Sequence, residues 1–482
     1  MMLIKKSDMI VPVQDPAIRI GNWEQVEGCI SRKEAIEEAN RCLTCPMVHG
    51  CERGCPVGMP IHTILGHLKR GWERKAVNLA RSLNLLLAIT SLVCPQSEQC
   101  EAGCVIKKGG GDPVFFGTIE RYLYEWECAN GGPQIPELAK ENGKRIALVG
   151  SGPASLTTAA FLRVYGYCVD IFEALPVAGG VLMYGIPEFR LPKKIVENEI
   201  AFIKSFGGIE IYTSTSIGKR FTVSELRKKY DAIFFATGAG KPIPLGIPGE
   251  DAFGVMSANQ WLFSINFLHA NDPAYETHIP EFKNIAIVGG GNVALDSVRA
   301  GKRVLTEKIQ TVLAETSAGI IYRREEESMP ARVQEIEHGK EEGMKLLAQV
   351  APLRILSENG RVTGLECIQT KPGEPDASGR RSPVNMERSN FIIPADLVIS
   401  ALGNKPNPAV IEQMGDVVTN RGYVVAINGC TSVPGFFVGG DLSGGGTVIR
   451  ATGDGKAAAY AIDQWLKGKL PWPEKEMFKP KK

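Results

Sequence analysis

The chain has 482 residues, 44% of them hydrophobic and 22% charged, with a net charge of +2. That length suits two to four domains with sizeable cores, and the near-neutral balance argues against nucleic acid as a main partner. The opening MMLIKKSDMIVPVQDP lacks the apolar run of a secretory leader, and no stretch approaches the roughly 20 apolar residues of a membrane span. The expectation is a cytoplasmic protein with no membrane partner.

Residues 1–135 read as helical and hold most of the cysteines. Ser31 followed by Glu34 has the spacing of a capping box ahead of a helix over 31–42. HTILGHLKRGWERKAVNLARSL, 62–83, places apolar residues three and four apart, as on a surface helix. LNLLLAITSLVC, 83–94, reads as a buried or amphipathic helix.

Seven of the twelve cysteines fall in RCLTCPMVHGCERGCP (Cys42, Cys45, Cys51, Cys55) and VCPQSEQCEAGC (Cys94, Cys100, Cys104). Clustering of this kind in a large chain without a leader points to metal or redox chemistry in a reducing compartment rather than to disulfides. A C-x2-C pair bends two thiolates toward one centre, and the later C-x3-C-P resembles the end of a bacterial ferredoxin run, although the middle gap of five residues departs from it. A four-thiolate zinc site shares the first spacing, so spacing leaves iron–sulfur and zinc both open. Cys29, Cys128, Cys168, Cys367 and Cys430 are scattered and read as buried free thiols. His49, His62 and His67 show no ligand pattern, and the basic end, Lys479 to Lys482, reads as a solvated terminus.

After a Gly- and Pro-containing linker at 129–144, short β runs alternate with helices, with strands expected at 144–150, 167–173, 231–238, 284–290, 319–324, 395–403 and 435–441. Such alternation predicts an α/β fold with parallel sheets. In IALVGSGPASL, Gly150 permits the tight turn and Gly152 lets a pyrophosphate approach the backbone, where the helix N-terminus favours its charge. Ser155 stands in place of a third glycine, and Glu173, ending the next strand, can accept hydrogen bonds from a ribose.

In IAIVGGGNVALD, Gly289, Gly291 and Ala294 fill the three loop positions. Arg323 and Arg324 end the following strand, where cations suit a 2′-phosphate and hence NADPH. Glu325, Glu326 and Glu327 alongside keep a solvated charge pair, and NADH, open. Finally, GFFVGGDLSGGGTVIRATGDGKAAA, 435–459, runs a strand into Asp441, a glycine cluster and a helix. That order can bind a hydroxylated chain and face a ring's polar edge.

With GGVLMYGIPEFRLPK, the ATG at 236–238 and YRREEESMPA, these motifs resemble the glutamate synthase small-subunit family of two-dinucleotide flavoproteins, over residues from about 40 to 460. The large subunit of NADH-dependent ferredoxin:NADP oxidoreductase shares the layout. The resemblance implies a helical domain with two 4Fe-4S clusters (1–135), a first part of a Rossmann-like FAD domain (140–253), a Rossmann-like NADPH domain (254–394) and a returning second part of the FAD domain (395–482). FAD is implied at the first glycine loop and NADPH, or NADH, at the second.

Motif by motif, Pro153, Ala154, Gly180, Thr237, Gly238, Asn292, Val293, Gly440 and Thr447 join the cofactor-binding residues, with Asp441 as the ribityl contact and Arg190 near the flavin. The family also supplies a carboxylate or amide ligand after the last cysteine, which matches Glu120. The implied ligand sets are Cys42, Cys45, Cys51 and Cys104 for one cluster, and Cys55, Cys94, Cys100 and Glu120 for the other.

No catalytic acid or base is named, because flavin itself converts a hydride pair into the single electrons that clusters carry. The partner implied is a second redox subunit: a glutamate synthase large subunit, a ferredoxin:NADP oxidoreductase small subunit in an electron-bifurcating complex, or another acceptor. A non-enzymatic scaffold with degenerate nucleotide sites is the contrasting reading, and Ser155 is its support.

Overall fold

The computed structural model describes residues 7–45, 50–269, 279, 282–308, 317–376 and 379–479. His49 and the last residues of the basic end, Pro480 to Lys482, lie outside them.

Helix Arg32–Asn40 starts with the expected capping box, in which Ser31 accepts from the Glu34 N–H and Glu34 accepts from the Ser31 N–H. The 62–83 run forms two helices, Ile61–Lys69 and Glu73–Arg81. Gly71 between them adopts φ +70°, a left-handed value that ends the first helix at little cost for glycine. Each helix buries one face, through Ile64, Leu65 and Leu68 in the first and Ala76, Val77 and Ala80 in the second. Helix Leu87–Val93 is buried all round. It packs into the same core as Ile146 and Leu148 of the first sheet and Val196 beside it, so the helical region and that sheet share one apolar interior.

The first sheet is parallel, in the order Phe436–Val438, Ala232–Phe235, Arg145–Val149, Cys168–Phe172, Ile209–Tyr212. Val149 lies opposite both Phe172 and Phe235, and Phe235 opposite Val438, so the loops after four strands converge at one sheet edge. The carboxyl ends of parallel strands are where nucleotides bind in such sheets.

The second sheet runs Val255–Ser257, Leu397–Ser400, Asn284–Val288, Ser317–Tyr322, Lys345–Ala348, again parallel. Starting the returning flavin segment at 395 therefore needs correction. Leu397–Ser400 sits inside the second sheet, and the crossing back follows it. The run is buried on both faces, and such a run carries no alternation to show which sheet it enters. The two crossing segments pair antiparallel, Pro242 with Asn404 and Lys241 with Lys405.

A three-stranded antiparallel sheet, Val350–Glu358, Arg361–Pro375 and Arg381–Pro394, is inserted before the last strand of that domain to be made. It was not anticipated above. Its first turn is Asn359–Gly360, both with positive φ, the usual two-residue hairpin turn.

A buried ion network ties the pieces together. Glu342 accepts from Arg19 (2.8 Å), Arg299 (2.8 Å) and Arg303 (2.9 Å), so the N-terminal segment is anchored on the second dinucleotide domain. Arg81 of the helical region bridges Glu127 and Glu199, both at 2.7 Å, which fixes it to the helix Lys193–Lys204. Among the described residues no helix is long and apolar enough to cross a membrane.

Candidate functional site

The two cysteine motifs meet backbone to backbone. A Cβ on Gly50 would lie 2.3 Å from the Gly103 carbonyl oxygen, and one on Gly54 2.5 Å from that of Gln99. Only glycine allows this approach, so the two cysteine motifs lie against each other at their glycines. Cys42, Cys45, Cys51 and Cys104 line one pocket, partly open to solvent, which Cys100 of the other implied set also borders and whose other walls include Leu43, Ile61, Leu65, Ile106 and Phe116. Burial pushes the Cys51 thiol up to about 12, with Glu52 and Cys104 adding to the effect.

Cys55, Cys94 and Cys100 each feel the charge of Glu120, although among the described residues no three such side chains are drawn together closely enough to hold a single metal ion. Cys94 and Cys100 are buried, and desolvation holds both thiols well above their ordinary range. Glu120 is driven up to about 8 by burial, against the pull of Thr90, Arg81 and Asn84. Thr90 Oγ1 lies 3.3 Å from its carboxylate, and Asn84 donates to Thr90 in turn (2.7 Å). A thiol-lined apolar pocket and a neighbouring set of three thiols with one carboxyl suit clusters, whose ligands must be deprotonated to bind.

His62 is engaged with Glu52 and points to no ligand set. Of the scattered cysteines, Cys367 and Cys430 are buried and Cys29 and Cys168 half-buried, but Cys128 is exposed, which corrects its reading as a buried thiol. Its position near the end of an amphipathic helix puts it on the solvent face.

The first glycine loop is built to leave room. Gly150 has φ +96° and its Cβ would strike the Ala236 carbonyl, so the turn nests against the ATG segment. A Cβ on Gly152 or Gly238 would meet nothing within 4 Å. The Thr237 hydroxyl is buried without a hydrogen-bond partner. An open glycine-lined cradle with an orphaned hydroxyl on its wall fits a bound nucleotide. Glu173 accepts from the Ser151 N–H (2.9 Å) and hydroxyl (2.6 Å) and from the Leu175 N–H (2.8 Å), which holds the loop open in shape. Gly180 closes onto Gly152, its Cβ position 3.1 Å from the Gly152 Cα. Pro153 and Ala154 begin the following helix, and Ser155 is fully buried in it, small enough for the third loop position.

The strand Phe436–Val438 stops short of Asp441, which lies in a single turn, Gly440–Leu442. There Asp441 accepts from the Gly446 N–H (2.8 Å), and Thr447 caps the long helix Val448–Leu466. That helix lies hard against the glycine-loop helix: a Cβ on Gly455 would lie 2.3 Å from the Ala154 carbonyl oxygen. Gly455→Ala is expected to destabilise this domain by about 1–3 kcal/mol through overpacking and to lower retained flavin, read from the absorbance of the purified protein. The same helix also touches the cysteine region. Gly453 abuts the Pro56 carbonyl, and Lys456 donates to the Val57 carbonyl (2.9 Å).

Arg190 makes contacts that its motif did not announce. Its guanidinium is buried against Asp296 (2.7 Å) and Glu335 (3.0 Å) of the second dinucleotide domain. It joins the two domains, and its partner Asp296 is the last residue of GGGNVALD. In that second loop, Gly289 nests against Ala401 as Gly150 does against Ala236. Asn292 accepts from the Arg332 N–H (2.9 Å), and Val293 is exposed. Arg332 itself donates to the Leu92 carbonyl (3.2 Å), two residues before Cys94. Arg323 and Arg324 follow the strand Ser317–Tyr322 and border a shallow pocket.

Sequence reasoning missed Gly50, Gly54, Gly103, Gly453 and Gly455. Their signal was available only as glycines interrupting cysteine or helical runs.

Residues 19–132 match the family described as dihydropyrimidine dehydrogenase domain II, 4Fe-4S cluster, and residues 144–464 match the pyridine nucleotide-disulphide oxidoreductases. The glutamate synthase [NADPH] small chain of Escherichia coli K12 is 32% identical over 468 residues, a match covering 94% of this chain and 96% of that one. The chain belongs to this family. It is an oxidoreductase that uses FAD, NADPH and 4Fe-4S clusters, and the zinc reading of the cysteines is set aside by the 4Fe-4S match.

The NADP(+)-dependent formate dehydrogenase subunit beta of Moorella thermoacetica is 32% identical as well, but this chain spans only 60% of its length. Both relatives are subunits by name. Mycobacterium tuberculosis FprA, solved with NADPH, superposes with a TM-score of 0.57 at 19% identity, covering 69% of this chain and 88% of that one, and so shares the fold of the dinucleotide domains.

Proposed function

We propose that this small-chain homologue moves electrons between NADPH and a large subunit of the glutamate synthase kind, with the FAD at the first glycine loop and two clusters in the helical region. The observation that carries the reading is the contact of one helix with both sites. Val448–Leu466 abuts the glycine-loop helix through Gly455 and the segment after Cys55 through Gly453 and Lys456. Bound FAD supplies the exchange between hydride and single electrons, and the clusters carry the latter.

The residues do the placing. Cys55, Cys94, Cys100 and Glu120 hold the cluster nearer the flavin. Cys42, Cys45, Cys51 and Cys104 hold the other, on the side where the cavity opens to solvent. Gly150, Gly152, Pro153, Ala154, Gly180, Thr237, Gly238, Gly440 and Thr447 line the flavin cradle, with Glu173 on the ribose and Asp441 on the ribityl chain. Gly289, Gly291, Asn292 and Val293 hold the pyrophosphate of NADPH, and Arg323 and Arg324 its 2′-phosphate.

A large subunit of the glutamate synthase kind is favoured as partner because the small-chain match covers 94% of this chain and 96% of that one. Purification of the native complex is expected to bring down such a large subunit. A different redox chain in its place would overturn the partner. With an artificial dye as acceptor, NADPH is expected to outperform NADH, and equal efficiencies would remove the arginines from the 2′-phosphate.

A further inference from the structure

We infer that the inserted antiparallel sheet is a specificity element for the nicotinamide dinucleotide, with Lys371 and Arg381 completing the 2′-phosphate cradle begun by Arg323 and Arg324. The inference rests on the assignment of the second glycine loop to NADPH and adds residues from a different part of the fold.

The shallow pocket beside the end of strand Ser317–Tyr322 is bordered by Arg323, Arg324, Lys371 and Arg381. Lys371 and Arg381 lie on the paired strands Arg361–Pro375 and Arg381–Pro394. The acids at hand are Glu325 on the pocket wall and Asp376, which pairs with Arg324 at 2.9 Å. Cations remain in excess, as a dianionic phosphate requires.

The sheet is also fastened at this spot. Thr370, next to Lys371, donates through its hydroxyl to the Arg323 carbonyl (2.9 Å), and the Gln349 N–H donates to the Arg324 carbonyl (3.0 Å). Gln349 holds φ +56°, a strained value for a non-glycine residue, and its own carbonyl accepts from the Thr370 N–H (2.8 Å). Arg324 Nε reaches the Arg381 carbonyl (2.9 Å), and Arg381 Nε the Gly373 carbonyl (3.2 Å). The inserted strands are thus locked in register with the two arginines, so Lys371 and Arg381 stand at fixed places around the same space. A hairpin serving only to cover the sheet would need neither these cations nor this fastening.

The test measures binding of 2′,5′-ADP and of 5′-AMP to the flavin-loaded protein by calorimetry, for the wild type, Arg323→Gln and the double variant Lys371→Gln/Arg381→Gln. Loss of charge-assisted hydrogen bonds should weaken 2′,5′-ADP roughly 10- to 100-fold in the double variant. Binding of 5′-AMP and the flavin spectrum should stay as in the wild type, and Lys371→Arg/Arg381→Lys should restore affinity. Undiminished 2′,5′-ADP binding in the double variant, with Arg323→Gln impaired, would overturn the role of the inserted sheet and leave the site assignment standing. A wild type that fails to prefer 2′,5′-ADP to 5′-AMP would overturn both.

Discussion

Replacing Glu120 by alanine is expected to remove the EPR signal of one cluster, together with roughly half of the protein's iron, and to leave the other cluster intact. Glu120 is buried, its charge is felt by Cys55, Cys94 and Cys100, and it is held by a Thr90–Asn84 chain. An isolated surface acid would have neither the burial nor the chain. Cys104→Ser should strike the opposite cluster, although Cys104 stands only four residues after Cys100. The reason is the close approach of the loops at Gly50 and Gly103, which sets Cys104 in one cavity with Cys42, Cys45 and Cys51, while Cys100 borders that cavity and also feels the charge of Cys55 and Glu120. EPR of the two reduced variants, with iron counted, checks both statements. Loss of the same signal from both would disprove the interleaved ligand sets.

Glu342→Leu is expected to cost about 3–5 kcal/mol, because it leaves three buried guanidinium groups without their shared carboxylate. Arg19, Arg299 and Arg303 all converge on Glu342, whose side chain is itself fully enclosed. Calorimetry should show a lowered unfolding temperature. Limited proteolysis should show new cleavage near Arg19, since the N-terminal segment loses its anchor.

The same network dictates an acid response. Burial alone would raise Glu335 and Glu342, but the surrounding arginines win and bring each to about 2, below the ordinary 4.5. A carboxylate depressed in the folded state adds stability above its unfolded value and loses it as pH falls through the folded one. The wild type should therefore keep this contribution at pH 5 and above and shed it between about 4.5 and 2. The slope of stability against pH in that window should be shallower for Glu342→Leu.

The features legible from sequence were those whose signal is local. A glycine with positive φ after an apolar strand, a capping box and a cysteine pair all announce themselves within a few residues, and Gly150, Ser31 and Cys42 with Cys45 behave accordingly. What stayed hidden depends on partners distant in sequence. Arg190 sits in a loop that by motif belongs near the flavin, yet its charge is used by Asp296, more than a hundred residues away. Leu397–Ser400 is apolar on both faces and could have entered either sheet. The inserted strands were not expected although Asn359–Gly360 is a strong hairpin signal, because Arg381–Pro394 is largely exposed and carries little apolar alternation.

The most direct test of the electron relay is an anaerobic titration of the purified protein with NADPH, followed by visible absorbance and EPR, with flavin, iron and sulfide determined on the same sample. The account predicts a brown protein with one flavin per chain that bleaches on addition of NADPH and then displays the spectrum of reduced clusters. A preparation without flavin and iron, or one whose flavin is reduced by NADPH while both clusters stay oxidised, would contradict it.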